Sequence, residues 1–431
     1  MASWSNWAGD QACEPALIER PTTREELSAA ISRAADAGRS VRVAGTGHSF
    51  SDIALTDGVM LRLERLNRIL DLDRSSGLVR VEAGIGLHEL NPALDAEGLA
   101  MENLGDIDRQ ELGGAISTAT HGTGARYRNI SAQVEALELV LADGTTLECS
   151  TDSDREAWLA ARAGLGALGA IYSMTLRCVP AFTIRRVDSP RPLDETLDRI
   201  DQLADGCDHF EFYVFPHTDV ALCRESERVD GPPKPRGRTA EYLQEVVFEN
   251  YAVDLLSRIG RRFPSRIPSL SRLVARRLSR STKVDRSYRV FASQRRVRFT
   301  EMEYAIPRAN AADAVRRVLA MIPSEGIEVG FPIEVRFVAP DDAYLSPSHE
   351  RPTCYIAVHM YRGMEWERYF REVEAIMDDY GGRPHWGKRH FQSAVKLAPR
   401  YPRWAEFRAV RDRLDPERRF RNAYTDRVLG P

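Results

Sequence analysis

Apolar residues along the first 180 positions change period several times, and each change marks an element. A capping box of Thr23 and Glu26 opens a stretch of helical spacing over residues 22–37, which Gly38 ends. Valine- and leucine-rich runs at 41–44, 59–63 and 78–82 predict strands, and 87–96 predicts a helix that stops at Gly98. Residues 134–142, 145–149 and 171–179 alternate like sheet strands, the first two joined by Asp143-Gly144, a strong hairpin turn. A helix over 155–162 leads into the glycine-rich stretch 164–169. No GxGxxG opens a strand–helix–strand unit, so this mixture describes an α+β domain rather than a Rossmann fold.

After Pro180 the pattern becomes a second alternation of strands and helices. Residues 193–203 predict a helix and 209–215 a strand, and the proline- and glycine-rich loop 231–238 closes that part. Strands follow at 298–304, 333–338 and 354–360, with helices at 310–321 and 365–380. The order suits an antiparallel sheet backed by helices. A chain of 431 residues exceeds the size at which one core stops growing, so two domains are expected.

Composition excludes more than it identifies. A formal charge of -3 gives no global attraction to nucleic acid, which is not expected as a partner. No apolar run of about 18 residues is present to form a transmembrane segment, and the N-terminus lacks the basic and apolar segments of a signal peptide. Cytoplasm is the simplest compartment, with peripheral membrane association left open. The six cysteines are widely spaced with no CxxC, which removes the strongest zinc and iron–sulfur signals, and no metal is expected. Arginine outnumbers lysine 56 to 4, so a lysine inside a chemical motif is hard to dismiss. Residues 258–298 are strongly basic, with arginine pairs interleaved with leucine, valine and phenylalanine. The simplest reading is a solvated or subunit-facing helical surface. Anionic lipid, a nucleic-acid backbone or an acidic electron acceptor are the alternatives.

Candidate chemistry begins with two histidines in glycine-rich turns, Gly45-Thr46-Gly47-His48-Ser49-Phe50 and Thr120-His121-Gly122-Thr123-Gly124. The first turn leaves a strand, and Gly45 and Gly47 allow backbone amides to approach a ligand closely. The second follows Gly113-Gly114 and a run of small residues, against which a large flat or phosphorylated cofactor can lie. In the second half, strand alternation puts Glu334 and Arg336 on one face, as a polyol pocket requires, although a surface ion pair has the same spacing. His385-Trp386-Gly387-Lys388 is a third constellation; its plain reading is a tryptophan packed under a loop with exposed basic neighbours.

Residues 45–58, with Val81-Glu82-Ala83-Gly84, Asn103-Leu104-Gly105 and the His121 turn, resemble the vanillyl-alcohol-oxidase type of FAD flavoprotein, within it the aldonolactone oxidoreductases. The likeness runs from Asn6-Trp7 to Leu429-Gly430-Pro431. It implies a two-subdomain FAD-binding domain over 1–180, an α+β cap domain with an antiparallel sheet over 181–384, and a segment, 385–431, returning to the first domain. It also implies FAD joined covalently to His48. One bond is expected, since no cysteine lies between Cys13 and Cys149 to make a second. Gly45, Thr46, Gly47 and Ser49 would contact the pyrophosphate. Gly113, Gly114, Ser117, Thr118, His121, Gly122 and Gly124 would surround the dinucleotide and ring, with Ile171 near the adenine, and Asn103, Gly105 and His385 beside the same cleft.

On the substrate side the resemblance assigns hydroxyl binding to Glu334, the reacting oxygen to Arg336, and a cation near substrate or ring to Lys388, with His359 a weaker candidate. Proton removal is left among Lys388, His359 and Glu334. The implied reaction oxidises the C2 hydroxyl of an aldono-1,4-lactone, first L-gulono-1,4-lactone, by hydride transfer to flavin N5, giving a 2-keto lactone that enolises to an ascorbate-type product. Alditol oxidation with release of hydrogen peroxide is the enzymatic alternative. A non-catalytic electron-relay protein is the alternative of another class. The electron acceptor is oxygen or a cytochrome or quinone, with the preference for the latter two.

Overall fold

The computed structural model describes residues 3–235, 253–293 and 295–431. Residues 236–238 of the proline- and glycine-rich loop, and Gln294 of the basic run, lie outside the described residues.

Helix Arg24–Asp36 starts where the Thr23 side chain accepts the amide of Glu26, and it buries Leu27, Ala30, Ile31 and Ala34. These share a core with a small parallel sheet in which Val59–Leu61 lies between Leu17–Glu19 and Val41–Val43. An antiparallel five-stranded sheet shares it too, in the order Thr146–Ser150, Val134–Val140, Ala170–Arg177, Leu78–Glu82, Ile69–Asp73. The C-terminal helices Trp404–Leu414 and Ala423–Leu429 close this core from outside. Ala343, Tyr344 and Leu345 also belong to it, so the chain touches the first domain well before residue 385.

The second core lies under an eight-stranded sheet. Its order is Ser281–Arg286, Thr183–Pro192, Val220–Val229, His209–Val214, Ile333–Val338, Thr353–Tyr361, Phe299–Pro307, Arg383–Pro384. All of its pairings are antiparallel. Phe210, Phe212, Met302, Tyr304, Val335, Phe337, Ile356 and Val358 face helices Ala311–Ser324 and Glu367–Asp379 in that core. Period-2 alternation then sends Glu211, Glu301, Glu303, Glu334 and Arg336 to the other face. The helix expected over 193–203 is two, Leu193–Asp198 and Ile200–Asp205, separated at Arg199. Thr183–Pro192 and Val220–Val229 escape sequence reading because most of their positions are half-exposed and no apolar alternation develops. Among the described residues no helix is long and apolar enough to cross a membrane.

One buried cation ties the first domain together. Arg42 is 2% exposed and donates to the carbonyls of Ile53 (2.7 and 3.0 Å), Phe420 (2.8 Å), Leu165 (2.9 Å) and Gly166 (3.1 Å). Burial pulls its pKa down to about 10, still well above neutrality. Arg42→Met keeps the volume but leaves those carbonyls without their donor. A loss on the order of 3–5 kcal/mol is expected in urea unfolding of the holoenzyme. A change below about 1 kcal/mol would show that water replaces the guanidinium freely.

Candidate active site

The strand Val41–Val43 delivers the chain into the first histidine turn. Gly47 sits at φ +76°, and a Cβ there would lie 3.0 Å from the Trp4 ring and 3.1 Å from Asn6 Cα, so glycine is needed on two counts. Asn6 braces the turn by donating to the Ser49 carbonyl (3.1 Å), while its Oδ1 accepts the amides of Gly9, Asp10 and Gln11. The amides of Gly45, Thr46, Gly47, His48 and Ser49 donate to no acceptor among the described residues. All five residues line a cleft of about 920 Å³. Five consecutive fixed N–H dipoles on one cavity wall form an anion cradle.

The rest of that cleft is built from small residues. Gly113, Gly114, Ala115, Ser117 and Thr118 form one wall, and Leu165, Gly166, Gly169 and Ile171 another. A Cβ on Gly114 would meet nothing within 4 Å, so main chain is presented directly to the space. Burial pushes Glu111, in the same wall, up to about 7, which reduces its repulsion of an anion. These residues fit a dinucleotide carrying a flat ring.

His48, Ser49, Gln110 and Thr118 also border a second cleft of about 650 Å³, so the two spaces meet at the histidine. The His48 ring stacks on Trp7 at 5.5 Å between centroids. Burial, reinforced by the charge of Lys388, lowers the imidazole to about 4. His48 is therefore neutral at pH 7 and keeps a free lone pair.

The second cleft is polar and strongly charged. Lys388 reaches it with its ammonium 2.5 Å from Glu301, and His359 Nε2 stands 3.5 Å from the other oxygen of that carboxylate. Burial alone would lower Lys388, but Glu301, Glu303 and Asp106 hold it above its ordinary value, so it stays an ammonium. Arg336 also lines this space, paired to Glu334 and 3.3 Å from both Asp106 and Glu211. Arg295 holds Asp106 at 2.7 Å, and Arg224 holds Glu211 at 2.6 Å. Burial would raise Asp106, yet Arg336 and Arg295 keep it well below the usual carboxylate range. Glu334 is different: burial raises it against the opposing Arg336, with Asp106 and Glu211 adding to the rise. Its Oε1 accepts from Tyr213 (2.6 Å) and Arg336, leaving Oε2 without a partner among the described residues.

His121, Glu303 and His385 form a buried cluster whose donor atoms lie within 4.8 Å of one another. Hydrogen bonding decides its character. His121 Nδ1 donates to the Gly122 carbonyl (2.8 Å) and turns Nε2 to Glu303 (3.3 Å), while its ring stacks on Tyr355. His385 Nδ1 accepts the Gly387 amide (3.0 Å), so a neutral His385 carries its proton on Nε2 and has no lone pair to offer a cation. The cluster is a polar floor for the cleft, with no complete set of metal ligands. Burial lowers His385 to about 3.

The sequence-derived residues divide accordingly. Gly45, Thr46, Gly47, His48, Ser49, Gly113, Gly114, Ser117, Thr118 and Ile171 line the first cleft; His48, Ser49, Thr118, His121, His385, Arg336 and Lys388 line the second. Glu334 stands behind Arg336, and His359 behind Glu301. Asn103, Gly105, Gly122 and Gly124 stand outside both spaces. Asn103 donates to Thr123 O and accepts the Leu104 amide; a Cβ on Gly122 would lie 2.1 Å from Leu104 O; Gly124 donates to Phe337 O. They shape the crossing between the two domains. Gly105 and Gly122 border a third space of about 370 Å³, beside Glu211 and Arg224, which shares Asp106 and Arg336 with the second cleft. Sequence reading missed Asp106, Arg295, Glu301 and Glu303. Glu301 and Glu303 were within reach, because carboxylates alternate there with Met302 and Tyr304 on a strand. Asp106 and Arg295 carry no local signal.

Comparison with known proteins identifies the family. Residues 174–428 match the family described as D-arabinono-1,4-lactone oxidase, and residues 15–150 match the FAD binding domain. The chain is 54% identical over 428 residues to L-gulono-1,4-lactone dehydrogenase of Mycobacterium tuberculosis, covering 99% of each chain. It is 36% identical to L-gulonolactone oxidase of Bos taurus, over 99% of this chain and 98% of that one. It is 32% identical to alditol oxidase of a Streptomyces species, over the same shares. A solved structure of a solvent-stable cholesterol oxidase superimposes with a TM-score of 0.83 at 18% identity, covering 100% of this chain and 97% of that one, a likeness of fold.

Proposed function

Since this chain belongs to the D-arabinono-1,4-lactone oxidase family and carries its FAD binding domain, we propose that it oxidises L-gulono-1,4-lactone at the C2 hydroxyl. The observation that carries the reading is His48, a neutral imidazole where an anion cradle meets a cleft holding Arg336 and Lys388. FAD, when bound, supplies the two-electron acceptor that no side chain here provides. The five amides of the first turn hold the pyrophosphate, the small-residue wall takes the dinucleotide, and His48 is the attachment point. One covalent bond is expected, because no cysteine lines either cleft among the described residues.

The protein residues then have separable tasks. Arg336 fixes the reacting oxygen and offsets the negative charge that develops as the hydroxyl proton leaves. Lys388, held protonated by Glu301, adds a second cation and cannot accept that proton. Glu334 lies behind Arg336 and outside the cleft lining, so it orients the guanidinium rather than meeting the substrate. His359 steadies Glu301, and Tyr213 steadies Glu334. Alditol oxidation is the second reading, favoured by the full-length similarity to the Streptomyces enzyme.

For the acceptor we take the similarity to the mycobacterial dehydrogenase over that to the bovine oxidase as the guide. Enzyme reduced by L-gulono-1,4-lactone is expected to regain its flavin absorbance slowly in air-saturated buffer and quickly with cytochrome c or a quinone. Fast return with stoichiometric peroxide would place the protein among the oxidases.

A further inference from the structure

Exposed large apolar side chains are few on this protein, and four of the seven among the described residues fall between positions 255 and 273: Leu255 (59% exposed), Ile259 (37%), Phe263 (53%) and Leu273 (49%). Leu255, Ile259 and Phe263 are spaced four apart, so they form one stripe along helix Val253–Arg262 and its exit. The next helix, Ile267–Ala275, adds Leu273. The opposite side seats the pair on the cap domain: Gly260 and Gly330 both approach Ile267, and Asp254 accepts from Tyr361 (2.8 Å). The stripe is thus left over after the helices have packed.

Charge says what covers it. Residues 253–280 contain eight arginines and one acidic residue, Asp254, a local charge of +7 in a chain whose total is -3. Asp254 is taken up by Arg258. Arg266, Arg272, Arg276, Arg277 and Arg280 have no ion-pair partner among the described residues. An apolar stripe flanked by guanidinium groups on long stems is the arrangement with which a helix lies in the headgroup layer of a bilayer, apolar side chains inserted and arginines on phosphates. Nucleic acid would use the arginines but gain nothing from Phe263 or Leu255. A second copy docked about a twofold axis would set +7 against +7.

We propose that helices Val253–Arg262 and Ile267–Ala275 form a docking face for an anionic phospholipid membrane. The face lies beside the second cleft: Tyr361 stacks on Phe331, Phe331 meets His359, and Phe299, in the cleft wall, packs edge-on against His359. Docking there brings the cleft close to the bilayer without inserting a spanning segment. The proposal does not depend on which sugar derivative the enzyme oxidises.

The test is co-sedimentation of the purified holoenzyme with vesicles of phosphatidylcholine alone or mixed with phosphatidylglycerol. Binding is expected only to the anionic vesicles, and to fall steeply with salt. Phe263→Ser combined with Leu255→Ser, and separately Arg272→Gln with Arg276→Gln and Arg277→Gln, are each expected to weaken partition at least about tenfold. Lactone-dependent reduction of a soluble dye should stay unchanged in both, showing intact folding. Absence of pelleting with phosphatidylglycerol overturns the proposal. So does pelleting that the Phe263 and Leu255 changes leave intact, which would mean charge alone binds, as for an acidic protein or nucleic acid. A concentration-dependent dimer abolished by the same apolar changes would assign the face to a second copy instead.

Discussion

His48→Ala is expected to yield protein whose flavin is removed completely by denaturation, whereas the wild-type chain is expected to keep its flavin fluorescence on a denaturing gel. Lactone-dependent flavin reduction should fall by about 10²-fold or more, because the proposed attachment through His48 would hold the ring where the two clefts meet. The wild-type chain adds a pH signature. In the proposed attachment His48 would act through its unprotonated nitrogen, and burial beside Lys388 lowers its pKa to about 4. Attachment of FAD to apoprotein should therefore hold constant from pH 8 to about 5 and decline only as His48 protonates toward pH 4. A decline centred near pH 6.5, the ordinary histidine value, would mean the ring is solvated and the reading of this turn is wrong.

Arg336→Lys carries the second large effect. The guanidinium pairs with Glu334 through Nη2, and reaches Asp106 with Nη2 and Glu211 with Nε, both at 3.3 Å. Lysine keeps the charge, so the buried carboxylates remain compensated and the protein should fold with FAD attached. It loses the planar fork, and a single ammonium cannot satisfy Glu334, Asp106 and Glu211 while also meeting a substrate oxygen. The rate of flavin reduction by lactone is expected to drop about 10²–10³-fold, with attachment on a denaturing gel unchanged. A loss under about fivefold would show that charge alone suffices at this position.

These outcomes bear on what the sequence made legible. The His48 turn was readable because its signal is local, a valine-rich strand running into two glycines beside a histidine; the positive φ of Gly47 and the unbonded amides are seen only in the structure. Glu334 and Arg336 were readable because strand alternation fixes a common face. What the alternation did not give was their depth, with Arg336 in the cleft and Glu334 behind it. The network around them was hidden for a different reason. Asp106 sits in a loop nearly 200 residues before Arg295 and more than 200 before Arg336, and only the docking of the two domains brings them together. Asn103, Gly122 and Gly124 show the reverse case, in which motif residues near the cleft in sequence serve its framework. In the fold, the cap strands Thr183–Pro192 and Val220–Val229 pair over ten residues with little apolar alternation, so ladder hydrogen bonding rather than burial pattern defines them.

The anion cradle, His48 and the Arg336–Lys388 cleft are the parts from which an FAD enzyme for aldono-1,4-lactones is built. The most direct measurement mixes the holoenzyme anaerobically with L-gulono-1,4-lactone, L-galactono-1,4-lactone, D-arabinono-1,4-lactone, xylitol and sorbitol, following the oxidised-flavin absorption band in each case. Rapid bleaching by the lactones, L-gulono-1,4-lactone foremost, with little or none by the alditols, is the predicted result. Bleaching by xylitol or sorbitol but by no lactone, or by none of the five, would contradict it.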